Sequence, residues 1–173
     1  MRLRPASTVL YVIDVQERLL PAVPDVDRVI SRCGRLAQAA GILGVRSVLS
    51  EQYPRGLGHT VPALAAVLPP AVEKIAFSCG GCLSPPSDAD AVVLAGLETH
   101  VCVTQTALDM LALGLNVFVA VDAVASRHAI DHEVALRRLE SAGAVLTTTE
   151  AVLFEWCRTA EHPQFQAIRR LVL

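Results

Sequence analysis

Apolar residues along this chain fall into two patterns, short unbroken aliphatic runs and longer stretches in which they recur every three or four positions. The run Thr8-Val-Leu-Tyr-Val-Ile13 ends in Asp14 and reads as a buried strand, followed by a Pro- and Asp-containing turn from Pro21 to Asp27. Val26, Val29, Ile30, Cys33, Leu36, Ala37 and Ala40 then recur at helical steps, which predicts a covering helix with Asp25 as N-cap and Gly41 as stop. Val45 to Ser50 is a second strand, and Glu51 to Thr60, broken by Pro54, Gly56 and Gly58, predicts an irregular loop. A short helix at about Val61 to Leu68 leads through Pro69-Pro70 to a charge-interrupted strand, Val72 to Phe77. Ala91 to Leu97 is a fourth strand that runs directly into a helix from Thr99 to Leu111, closed by Gly114. Asn116 to Asp122 and Ala144 to Thr148 supply strands five and six around a helix from Asp131 to Ala142, and a terminal helical region carries Phe154, Trp156 and Phe165.

Strands and helices thus alternate, and most strands are continuous apolar runs, the mark of a parallel sheet covered on both faces. The expected architecture is α/β: a three-layer αβα sandwich around a six-stranded, mostly parallel sheet, in one domain spanning residues 1–173. Composition fits, because 53% of residues are hydrophobic but only 4% aromatic, so the core is built of Ala, Val and Leu. The net charge of −2 with no Lys/Arg run leaves no electrostatic footprint for nucleic acid or an acidic membrane surface, and favours a small-molecule partner. No apolar run approaches the ~20 residues of a membrane span, and the five cysteines are scattered rather than framed as disulfides. A reduced, cytoplasmic protein is expected.

In a parallel sheet, ligands bind where the carboxyl ends of strands, the loops and the helix N-termini converge. Asp14 ends the first strand, Lys74 lies in the third, and Glu98, Thr99, His100 and Cys102 follow the fourth. A cysteine in the first turn of a helix meets the positive end of the helix dipole and free N–H groups, which favour thiolate and could hold an oxyanion. Taken singly, each has a plainer reading: Cys102 as a small buried hydrophobe, Asp14 as a turn or capping residue, Lys74 as a solvated strand end. Cys79-Gly-Gly-Cys82 invites a redox or zinc reading but lacks a second ligand pair, and His128 and His132, four apart, suit a solvated helix face as well as a metal.

Ile13-Asp-Val-Gln16, Glu73-Lys74 before Phe77-Ser78, and Gly96-Leu-Glu-Thr-His-Val-Cys-Val103 together resemble the isochorismatase-like cysteine hydrolase family. Glu51-Gln-Tyr-Pro-Arg-Gly-Leu-Gly58, Asp122-Ala-Val-Ala-Ser-Arg127 and Thr149-Glu-Ala-Val-Leu-Phe154 are similar to its isochorismatase domain-containing protein branch, and the likeness runs from about Thr8 to Leu171. The resemblance implies a Rossmann-like fold and an Asp14, Lys74, Cys102 triad that hydrolyses a small amide-like C–N bond through a covalent cysteine intermediate. In it Cys102 attacks, Asp14 moves the proton and Lys74 supplies the cation. It also implies a cis peptide between Leu97 and Glu98 that turns the Glu98 N–H toward the same point as the Cys102 N–H. Gln16, Gln52, Tyr53, Phe77, Glu98 and His100 are candidate substrate-binding residues. Relatives that bind metal carry Asp-x-His after the second strand; Glu51-Gln52-Tyr53 and an isolated His59 stand here, so no metal or cofactor is expected. Ile75 after the lysine and the short, Pro-rich stretch from Cys79 to Asp90 depart from the family pattern, which keeps open a catalytically idle interaction protein on the same scaffold. The resemblance further implies a homo-oligomer, to whose interface Phe154, Trp156 and Phe165 could contribute.

Overall fold

Two central strands, β1 (Thr8–Ile13) and β4 (Ala91–Leu97), pair in parallel from Thr8 beside Ala91 to Ile13 beside Gly96. The computed structural model describes residues 2–173, and in it the sheet grows outward from this pair in the order β3-β2-β1-β4-β5-β6. β2 (Arg46–Gln52) and β3 (Val72–Lys74) lie on one side, β5 (Asn116–Ala125) and β6 (Val145–Thr147) on the other, and every pairing is parallel. Strand order therefore reverses between β1 and β4, which opens a crevice at their carboxyl ends.

All six β1 residues are buried because alternate side chains enter different layers. Leu10 and Val12 pack with α1 (Val26–Leu43), α6 (Thr149–Cys157) and α7 (Phe165–Val172) through Val29, Leu36, Val152, Trp156 and Ile168. Val9, Tyr11 and Ile13 pack with α4 (Thr104–Ala112) and α5 (Ala129–Ser141) through Ala107, Met110 and Leu139. The αβα sandwich with a six-stranded parallel sheet is thus present as the apolar pattern foretold. α2 (Pro54–Leu57) and α3 (Pro62–Ala65) are single turns on the way to β3, the first inside the stretch expected to be irregular.

Several boundaries differ, each for a local reason. β3 stops at Lys74 rather than Phe77 because the chain then curls around the lysine's own ammonium group, to which Ala76 O and Phe77 O are bonded. β5 continues past Asp122, whose carboxylate is engaged by Arg32, the Thr149 N–H and the Thr149 hydroxyl. α1 runs on to Leu43 and closes at Gly44, the residue that takes the left-handed conformation. Asp25 does not cap α1 through its side chain; its carboxylate pairs with Arg28. Trp156 is spent in the protein's own core at 1% exposure, so it is no part of a subunit interface, while Phe154 and Phe165 pack against each other with centroids 6.4 Å apart.

Candidate active site

Asp14 leaves β1 at φ 50°, and its N–H donates to Ser50 O at 3.1 Å, which turns its side chain into the crevice. There the carboxylate is held on both oxygens: Lys74 Nζ donates to Oδ2 at 2.7 Å and Ser50 Oγ donates to Oδ1 at 2.7 Å. Lys74 also reaches Gln52 Oε1 at 2.8 Å and Phe77 O at 2.8 Å, so its three protons are committed to protein oxygens. Burial works to discharge this ammonium, but the Asp14 carboxylate outweighs burial and the lysine titrates above its ordinary range.

Cys102 sits in a π-helical turn, Thr99–Val103, between β4 and α4, and the peptide Leu97–Glu98 ahead of it is cis. The thiol shares one cavity with Asp14. Burial, then the Asp14 charge, push its titration well above the ordinary thiol range, and the opposing pull of Lys74 does not restore it. This reverses the thiolate expected from a helix start: the side chain is 6% exposed, and the cation beside it already serves Asp14. The resting state is therefore thiol beside carboxylate.

The cavity holds about 220 Å³ and is lined by Asp14, Gln52, Glu98, Cys102 and Arg127 together with the apolar Leu19, Leu57, Phe77 and Val101. Glu98, nearly buried, accepts from both the backbone N–H and Nε of Arg127 at 3.0 Å, which fixes the start of the segment after β5 against the Cys102 turn. The Glu98 N–H donates to no other backbone carbonyl of the described residues.

The remaining predicted residues separate. Phe77 and Glu98 line the Cys102 cavity, as does Gln52. Gln16 is fully buried and bridges loops, its Nε2 donating to Gln52 O and Gly58 O while its Oε1 accepts from Gln52 N–H. Tyr53 lies in an adjoining, more open cavity with Arg55, Glu73, Lys74 and Ile75. His100 points away from Cys102, its Nδ1 3.0 Å from Ser126 Oγ, and lines a separate hollow with Asp131 and Arg138. Cys79 is buried and Cys82 exposed, both as free thiols, so the pair is not poised as a disulfide. His132 bonds the Thr99 hydroxyl, and Glu51 is tied to His59 and the Thr60 N–H. Burial pushes Glu51 up, but those bonds more than offset it and hold the carboxyl below its ordinary range. Among the described residues no group of three or more His, Cys, Asp or Glu is arranged to hold a metal ion, and no helix is long and apolar enough to cross a membrane.

Ser50 and Arg127 are the polar site residues that the sequence does not single out, beside the apolar Leu19, Leu57 and Val101. Both obey the same carboxyl-end rule, one near the end of β2 and the other just past β5, and it is the signal that points to them.

Fold and site together define an αβα sandwich with a buried Asp–Lys pair and a cysteine at the carboxyl ends of its central strands. An isochorismatase domain model matches residues 87–151. Mouse isochorismatase domain-containing protein 2A is 39% identical over 175 residues, covering 99% of this chain and 85% of its own length. The structure described as MAR1 ribonuclease from Caenorhabditis elegans superposes with a TM-score of 0.94 at 40% identity, over 99% of this chain and 92% of that one. The Escherichia coli YcaC gene product, described as an octameric hydrolase of unknown specificity, has a TM-score of 0.81 at 25% identity, over 99% of this chain and 94% of that one. The chain belongs to the isochorismatase family.

Proposed function

We propose that this protein hydrolyses the C–N bond of a small amide-like substrate through a covalent intermediate on Cys102, with Asp14 as the proton carrier and Lys74 as the cation paired with it. The observation that carries this reading is the buried 2.7 Å Lys74–Asp14 pair, whose Asp14 lines the same cavity as the Cys102 thiol. A base is needed because the thiol is protonated at rest. Asp14 takes the thiol proton as sulfur attacks the carbonyl carbon, and the negative charge that develops on oxygen is met by the N–H groups of Glu98 and Cys102. The C–N bond then breaks, and Asp14 delivers its proton to the departing amine. Water adds to the thioester as Asp14 accepts its proton; the C–S bond breaks, and that proton returns to sulfur.

Lys74 never reaches the substrate in this scheme, since its donors are spent on Asp14, Gln52 and Phe77 O. Phe77, Leu19, Leu57 and Val101 enclose the acyl group, and Arg127 borders the entrance. A cytoplasmic location and a homo-oligomer belong to the same reading, the second supported by the octameric state of the E. coli relative.

Assay of a panel of small amides, ureas and ureido acids tests it. The wild type turns over at least one class, and Cys102→Ala, properly folded, turns over none; full turnover by Cys102→Ala ends the proposal. A second reading, RNA phosphodiester hydrolysis, is favoured by the description of the C. elegans relative. Against it, both cations at the site are paired with carboxylates, so neither is free for a phosphate. RNA cleavage abolished by the same Cys102→Ala variant, with every amide untouched, would replace the amide reading.

A further inference from the structure

Two buried polar side chains at the site have no part in the scheme above, the hydroxyl of Ser50 and the thiol of Cys79. Both are closed off from solvent, with Ser50 at 1% and Cys79 at 0% exposure, so their bonds to one another are exchanged with no water. Ser50 Oγ lies 2.7 Å from Asp14 Oδ1, and Cys79 Sγ lies 3.5 Å from Ser50 Oγ. An ionised carboxylate only accepts, so the Ser50 proton points to Asp14 and the Ser50 oxygen is left to receive the Cys79 S–H. Burial pushes the Cys79 thiol above its ordinary range, which keeps that proton in place as a donor. Cys79 is itself pinned, its N–H donating at 3.0 Å to the Thr106 hydroxyl of α4, the helix that continues the Cys102 turn.

Lys74 fixes one oxygen of Asp14, and a single hold leaves the carboxylate free to swing about its Cβ–Cγ bond. The second hold, at the other oxygen, removes that freedom. We propose that Ser50, aimed by the Cys79 thiol, is the positioning residue that orients Asp14 to accept the Cys102 proton. This rests on the reading of Asp14 as the base, and it gives Cys79 a structural-electrostatic task in place of the redox or zinc task that its Cys-Gly-Gly-Cys setting suggests. Cys79 donates at both ends, its N–H to Thr106 on the helix that continues the Cys102 turn and its S–H to Ser50, which donates to Asp14, so the helix behind the nucleophile and the strand that carries the base are tied through one buried residue.

The test needs no substrate. Iodoacetamide alkylation at Cys102, resolved from the other cysteines by peptide mass mapping at pH 7.5, reads how readily the thiol gives up its proton. Ser50→Ala slows it about 10- to 100-fold, the loss that misplacing a proton acceptor brings, whereas Asp14→Asn, which removes the acceptor together with the charge that opposes thiolate, makes the rate follow ionisation of the thiol and rise with pH. Ser50→Thr, which keeps the hydroxyl, and Cys79→Ser, which keeps the donor, return to within about threefold of wild type, a rescue that lost packing would not show. Once a substrate is found, Ser50→Ala lowers kcat and leaves KM unchanged. A wild-type rate in Ser50→Ala beside an Asp14→Asn whose rate rises with pH overturns the positioning role and leaves Asp14 as base; an Asp14→Asn with the wild-type rate and pH profile takes the base with it. A Ser50→Thr as slow as Ser50→Ala also overturns it. If Ser50→Ala fails to fold by circular dichroism, Cys79→Ala against Cys79→Ser decides: Ala slowed and Ser restored supports the role, and equal rates overturn it.

Discussion

Replacing Lys74 with methionine removes one partner of an ion pair in which neither side chain exceeds 1% exposure. Asp14 then remains buried with Ser50 as its main holder, and the Gln52 side chain and Phe77 carbonyl lose their donor. Breaking a buried pair from one side costs about 3–5 kcal/mol, far above the ~0–1 kcal/mol of an exposed pair such as Arg137–Glu133. At about 2–4 °C per kcal/mol for a chain of this length, the melting midpoint falls roughly 6–20 °C. Urea denaturation of wild type, Lys74→Met, Asp14→Asn and the double variant measures this directly. The double variant loses less than the sum of the singles by about 1–3 kcal/mol, because removing both charges leaves neither stranded. The sign with pH also follows. Lys74 titrates higher in the folded chain than its ordinary value of 10.5, so its contribution is complete below that pH and fades as pH climbs through the folded value. The gap between wild type and Lys74→Met is therefore constant from neutral pH to about 10 and narrows only above it. A loss below about 1 kcal/mol, or an additive cycle, refutes the claim that this pair is a dry, mutually dependent unit.

Two further outcomes are expected. The rate of Cys102 alkylation shows no step through the ordinary thiol range near pH 8.5, because burial and Asp14 push this thiol far higher; a rise there like that of a free thiol, followed by mass spectrometry, contradicts the resting state described. Gly96→Ala places a Cβ 2.0 Å from Ile13 O at a φ of +114°, so it destabilises by about 3 kcal/mol or more in thermal melts; a variant within 1 °C of wild type would show that β1 and β4 do not approach as closely as described.

The sheet was legible because its central strands are buried on both faces and leave unbroken apolar runs, so β4 appears in the sequence with its observed ends, Ala91 and Leu97. Edges were less so. The expected end of β3 overran, since no pattern of apolar residues announces that the chain will wrap the ammonium group of Lys74. Asp14, Lys74 and Cys102 could be placed at strand ends and matched to a family motif, and their meeting depends on strand order, which topology alone supplies: β1 lies between β2 and β4, so Asp14 faces Ser50 on one side and Cys102 on the other. The charge state of Cys102 was not legible. A helix start argues for thiolate, and only the depth of burial and the commitment of Lys74 to Asp14 show that thiol wins. Gln16 and His100 stand near the right segments in sequence, but which way each side chain points is set by partners distant in sequence, Gly58 and Ser126.

The most direct measurement is intact-protein and peptide mass spectrometry of wild type and Asp14→Asn, quenched in acid during turnover of whichever amide the panel yields. The account predicts an acyl group on Cys102, found on no other residue and absent from Asp14→Asn. Turnover with Cys102 unmodified at every time point, while the acyl mass rides on another residue or on none, would contradict it.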